Sequence, residues 1–152
     1  KVCIVVLSKS GAPKVIAAND YHAIATQYYG TAKHKNHKRC EEFVYNFHKA
    51  CVKEGRLRWY MDRRELYYAM RLVEQESGFN CKAVNRIGAT GYFQFLKRTW
   101  KGTGFKRTFD PYIQCRAGIR YISRRYGQPS SAWSHKVQTS RGASRHKGNG
   151  WY

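Results

Sequence analysis

The sequence predicts a mainly α-helical fold carrying a basic N-terminal extension, and three observations lead there. Two segments have helix start and stop signals at both ends, a third has an apolar face at helical spacing, and strand-like patterning is confined to one short run near the start. The length of 152 residues suits one domain, or one domain with an extension.

In chain order, Val2-Cys3-Ile4-Val5-Val6-Leu7 reads as a short buried strand, far too brief to cross a membrane. Ser8 to Lys14 and Thr31 to Arg39 are basic and loop-like, and the weakly patterned Val15 to Tyr29 between them suits a helix. Cys40, Phe43, Val44, Phe47 and Cys51 then fall on one face of a helix. That helix sets Cys40 and Cys51 roughly 16 Å apart, too far to bond to each other.

A change of character near residue 58 divides the chain into a basic extension, 1–58, and a better-punctuated part, 59–152. Asp62 followed by Glu65 fits a capped helix start, Leu66, Ala69, Met70 and Val73 make its apolar stripe, and Ser77-Gly78 ends it. A glycine-rich passage with Gly88, Gly91, Gly102 and Gly104 follows. Asp110-Pro111 opens another helix, whose stripe of Cys115, Gly118, Ile119, Ile122 and Tyr126 runs to Gly127. Beyond Lys136 the basic, Ser- and Gly-rich tail reads as mobile, ending in Gly150-Trp151-Tyr152.

Charge narrows the partners. Lys and Arg number 29 against nine Asp and Glu, a net charge of +20, which predicts an anionic partner and salt-sensitive attachment. The five cysteines are Cys3, Cys40, Cys51, Cys81 and Cys115. Two pairs and a free thiol suit an oxidising compartment, and five buried thiols suit the cytosol. His34, His37, Cys40 and Cys51 match no attested zinc spacing, and Lys33, Lys35, Lys38 and Arg39 would repel a cation. No metal is expected there.

Glu76 is the candidate for chemistry. It falls on one flank of the stripe formed by Leu66, Ala69, Met70 and Val73, while Glu74 falls on the other, nearer solvent. A carboxyl group at a core margin and a helix C-terminus is partly desolvated and feels the negative end of the helix dipole. Both effects favour the protonated form that a general acid needs. Helix geometry alone leaves a structural, Arg-paired glutamate equally open.

The segment that follows shifts the balance toward the catalytic reading. It reads Glu76-Ser77-Gly78-Phe79-Asn80, then Gly88-Ala89-Thr90-Gly91-Tyr92-Phe93-Gln94-Phe95, then Thr99-Trp100. In order and spacing these resemble the lytic transglycosylases, whose catalytic glutamate stands in a Glu-Ser-Gly turn followed by Gly-Ala-x-Gly-x-x-Gln. The likeness continues through Ile119-Arg120-Tyr121-Ile122 and Tyr126-Gly127 to Ala132-Trp133, and is strongest toward actinobacterial and phage-tail domains. It implies a lysozyme-like transglycosylase domain over 59–152.

The resemblance implies Glu76 as the catalytic residue, with Ser77, Gly88, Ala89, Gly91, Tyr92, Gln94 and Trp133 at the substrate. Gly88 and Gly91 would let the backbone approach a sugar, Gln94 offers a donor and an acceptor, and Ser77 would orient the Glu76 carboxyl. It implies no metal or organic cofactor. The partners it implies are peptidoglycan glycan strands and anionic cell-wall polymers, met outside the cell, in the envelope or from a phage virion.

The chain departs from the family in two places. Trp133 stands where many members carry a tyrosine, leaving Tyr92, Tyr121 and Tyr126 as candidates to supply a hydroxyl. Some relatives bridge the Cys81 position to a cysteine that is Ser130 or Ser131 here, so a bridged Cys81 would need Cys115 or an N-terminal cysteine.

Three rivals remain: a water-delivering lysozyme on the same fold, a catalytically silent wall-binding or tail module, and a nucleic-acid binder. The last leaves the ordered motifs unexplained. From Glu65 onward the acidic residues are Glu65, Glu74, Glu76 and Asp110. Asp110 suits a helix cap, Glu65 lies about three turns from Glu76 and Glu74 points elsewhere, so the sequence supplies one carboxylate, as the transglycosylase reaction needs.

Overall fold

A computed structural model describes the backbone of residues 1–142 and the side chains of residues 1–139. Its order is β1 (Cys3–Leu7), β2 (Pro13–Ala17), α1 (Tyr21–Tyr29), α2 (His37–Lys53), α3 (Leu57–Met61), α4 (Arg63–Ser77), α5 (Lys97–Thr103), α6 (Pro111–Arg125) and α7 (Pro129–Gly142). The fold is mainly helical with one small sheet, as expected. No helix among the described residues is long and apolar enough to cross a membrane.

The first strand forms as expected, but it has a partner. β1 pairs antiparallel with β2, Cys3 opposite Ala17 and Leu7 opposite Pro13. Ile4 and Val6 alternate inward and Ile16 joins them in the core, so β2 owes its strand to its neighbour rather than to its own pattern. The helix expected from Val15 begins only at Tyr21, where the Asp20 side chain accepts from Ala23 N and caps it.

The central packing sets α2 against α6. Cys40, Phe43, Val44, Phe47, Ala50 and Cys51 of α2 are fully buried, as is Cys115 of α6, with Ile119 and Ile122 nearly so. Burying each large apolar side chain contributes about 1.5–3 kcal/mol. One continuous core runs from Ile4 to Ala132, so side chains from both sides of residue 58 share it. Gly118 permits a close approach within this layer, because a Cβ there would lie 2.3 Å from the Phe93 ring.

The α4 boundaries follow the sequence signals. Asp62 accepts from Arg64 N and Glu65 N, and Gly78 closes the helix at φ 62° with its N–H on the Glu74 carbonyl. Glu65 does more than an N3 residue in a capping box. Its buried carboxylate accepts from Ser130 N at 2.8 Å and Ser130 Oγ at 2.9 Å, tying α4 to the first turn of α7.

One expectation changes. The chain is helical past Lys136, through Gly142, because α7 lies along α4 rather than leaving the domain. Gly150-Trp151-Tyr152 lie outside the described residues. None of the five cysteines is bridged: Cys3 is exposed and Cys40, Cys51, Cys81 and Cys115 are buried thiols. Burial pushes the Cys40, Cys51 and Cys115 thiols well above their ordinary range, so these act as small apolar side chains.

Candidate active site

Glu76 sits in the last turn of α4, its side chain 10% exposed, where the helix gives way to the Ser77-Gly78 turn. Its Oε2 accepts from Lys136 Nζ at 3.0 Å, and the Lys136 side chain is 9% exposed. Desolvation of Glu76 is as expected, but the facing ammonium is new. The contact is a charge-assisted hydrogen bond between two largely buried side chains.

α4 and α7 run side by side with matched contacts. Glu65 meets Ser130, Arg71 lies 5.1 Å from the Trp133 ring centroid with Tyr68 nearly parallel to that ring, and Glu76 meets Lys136. Trp133 therefore lies one helical turn before Lys136, half-buried, with an aromatic and cationic surface around it. That setting suits a flat sugar face.

Glu74 corrects its expected place near solvent. Its side chain is 17% exposed, Oε1 accepts from Tyr28 Oη at 2.7 Å, and Oε2 accepts from Lys9 Nζ at 3.0 Å. Burial and the Glu74 charge push the Tyr28 phenol far above its ordinary range, so it stays a proton donor in this bond. The first 58 residues thus hold the outer flank of the helix that carries Glu76.

The glycine-rich passage builds a tight loop from inward bonds. Ser77 Oγ donates to the carbonyls of Val73 and Tyr92, at 3.1 and 3.0 Å. Its proton therefore ties the end of α4 to this loop instead of orienting the Glu76 carboxyl. Gln94, itself at φ 53°, directs Nε2 to the carbonyls of Ala83 and Gly91, so its donors serve the loop and not a ligand. The amide assignment follows from these two acceptors.

Gly91 is required for a reason internal to the fold. Its φ is 83°, and a Cβ there would lie 2.5 Å from the Gln114 side chain. Gln114 bridges the loop, accepting from Tyr92 N at 2.9 Å and donating to the Cys81 and Thr108 carbonyls. The close approach at Gly91 is that of Gln114, not of a sugar. At Gly88, φ is 87° with open space at the Cβ position, and the half-buried residue leaves its backbone accessible.

Tyr92 and Ala89, both expected at the substrate, are fully buried. The Tyr92 ring packs edge-on against Phe43, 5.1 Å away, and its hydroxyl has no hydrogen-bond partner among the described residues. Buried side chains present no surface to a glycan, so Tyr92 cannot supply the missing hydroxyl. Tyr121 and Tyr126 are half-buried neighbours, and Tyr126 adjoins His135, the residue before Lys136.

The structure therefore joins Glu76, Ser77 and the Tyr92 backbone, and adds Lys136, which sequence reasoning missed. No local signal could find Lys136, since its partner is 60 residues away.

With this geometry in hand, the family profile described as "Transglycosylase SLT domain" matches residues 51–141, more than half of the chain. The chain belongs to the SLT transglycosylase family. This makes it a lysozyme-like, peptidoglycan-acting protein of the glycosidase type. No solved structure matches the chain. The match begins at Cys51, inside α2, and ends in α7 one residue before its last.

Proposed function

We propose that this SLT domain is a lytic transglycosylase that cleaves the β-1,4 bond between N-acetylmuramic acid and N-acetylglucosamine, with Glu76 as general acid and then general base. The disposition of the nine acidic residues carries this reading. Asp20, Asp62 and Asp110 cap helices, and Glu54 meets Arg116 and Arg120. Glu65 holds Ser130, Glu74 holds Tyr28 and Lys9, Glu41 meets His22, and Glu42 is exposed on α2. One carboxylate remains at the family motif.

A glycosidase that delivers water generally needs two carboxyl groups. Closure by the substrate's own hydroxyl needs one. Protonated Glu76 gives its proton to the glycosidic oxygen as the bond from C1 to that oxygen breaks. The acetamido oxygen of the N-acetylmuramic acid bonds to C1 and carries the positive charge. The Glu76 carboxylate then takes the C6 hydroxyl proton while O6 bonds to C1 and displaces the acetamido oxygen. The product ends in a 1,6-anhydro ring, and the catalytic proton is back on Glu76.

Lys136 bonds the Glu76 carboxyl in the free protein, and bound glycan would part the pair. Trp133 offers a stacking face, and Tyr121 or Tyr126 stands in for the family tyrosine. Anionic wall polymers are the second partner. A cleft of about 650 Å³, lined by Lys35, Asn36, Lys38 and Arg39, opens beside Gly78 and holds three cationic side chains next to the Glu-Ser-Gly turn. Its substrate lies outside the cytoplasm, so the reading carries a working location in the envelope, the extracellular space or a phage virion. Mass analysis of digested peptidoglycan tests it, because an anhydro end is lighter by one water than a hydrolysed end.

A further inference from the structure

The histidines and cysteines that stand near one another in sequence separate in space. His34 stacks on Tyr29, centroids 3.8 Å apart, while Cys40 and Cys51 are sealed in the core. His37 turns instead toward α1, where it meets a histidine that no spacing argument connects to it.

We propose that His22, His37 and Glu41 form a binding site for a divalent transition metal of the zinc class. One potential ligand atom from each residue lies within 4.8 Å of those from the other two. His37 and Glu41 are four residues apart on α2 and so share a face, and His22 comes from the first turn of α1. His22 Nδ1 already lies 3.1 Å from Glu41 Oε1, and the two imidazole centroids are 4.7 Å apart.

Zinc bonds of about 2.0–2.1 Å in tetrahedral geometry set neighbouring ligand atoms about 3.3–3.4 Å apart. The His22–Glu41 pair has nearly that spacing. The remaining closure falls to His22, whose side chain is 63% exposed and able to swing. His37 is buried and held in place. Thr26 gives its hydroxyl hydrogen to the His22 carbonyl and receives one from His37 Nε2 at 2.8 Å. A hydrogen bond of this kind fixes the ring of a metal-binding histidine.

Two imidazoles and one carboxylate select zinc, nickel or copper over magnesium or calcium, which require oxygen donors. Three protein ligands leave at least one position for water. Lys38 and Arg39, exposed on the same helix, lower the affinity. Because its ligands come from two helices, a bound metal would clamp α1 to α2. The inference is independent of the catalytic reading.

The test is calorimetric titration of the metal-free chain, residues 1–152, with zinc chloride, paired with its melting temperature in zinc and in chelator. The expected result is one zinc per chain and a higher melting temperature in zinc. His22→Ala and Glu41→Gln, both at accessible positions, should each weaken binding by at least about tenfold, and His34→Ala should not. Circular dichroism checks that the variants fold. Absence of saturable zinc binding, or binding unchanged in both variants, overturns the site and leaves an ordinary histidine–glutamate pair.

Discussion

Lys136 donates to the Glu76 carboxylate at 3.0 Å, joining the last turn of α4 to α7 with both side chains about nine-tenths buried. The same two helices meet at Glu65 and Ser130 near their starts, so the candidate acid is gripped along the whole length of the helix that carries it.

Removing that ammonium should loosen the seam between the two helices. Lys136→Met breaks a charge-assisted bond between two largely buried side chains and should lower the melting temperature. Lys136→Arg, which keeps the cation, should lower it less. Equal melting of the wild type and Lys136→Met would remove the pair from the account.

Gly91→Ala should destabilise the loop that follows the catalytic turn. The substitution meets both a φ of 83° and a 2.5 Å approach to Gln114. Together these cost about 2–4 kcal/mol, read from denaturant unfolding. Adding Gln114→Ala should relieve the collision but not the backbone strain, so the recovery is partial.

Glu54 links stability to acid. Burial pushes its carboxyl up, but bonds to Arg120 and Arg116 outweigh burial and hold it below its ordinary 4.5. A depressed carboxylate contributes stability above its unfolded value and loses it as pH falls through the folded one. Glu54→Gln should therefore cost about 1–2 kcal/mol at neutral pH. The gap to the wild type should close progressively below pH 4.5.

The cleft beside Gly78 makes a prediction about attachment. Since α2 contributes to the shared core, charge reversal is a cleaner probe than truncation. Lys35→Glu with Lys38→Glu should weaken binding to wall sacculi bearing phosphate polymers and flatten its salt dependence. Sacculi stripped of those polymers should bind the wild type and the variant alike. Equal binding to intact sacculi removes the cleft from the account.

The sequence revealed what local chemistry dictates. The Asp62 and Asp110 caps, the Gly78 stop and the apolar face from Cys40 to Cys51 all appear in the fold, because capping and amphipathic spacing act within one or two turns. β2 was hidden because its register comes from β1. Lys136 was hidden because its partner is 60 residues away. Gln94 and Ser77 drew notice for their polar groups, yet those groups bond to backbone carbonyls, including Ala83 and Tyr92, and such uses appear only once the chain has closed. His22 and His37 meet for the same reason, through the packing of α1 on α2.

The most direct test digests purified peptidoglycan with the wild-type protein and with Glu76→Gln, and weighs the fragments. The account predicts 1,6-anhydro ends from the wild type and a loss of at least about a hundredfold in their formation by the variant. Ends heavier by one water would contradict the transglycosylase chemistry and assign a lysozyme. Undiminished activity in Glu76→Gln would contradict the role of Glu76 itself, and no activity in either protein would leave a wall-binding module.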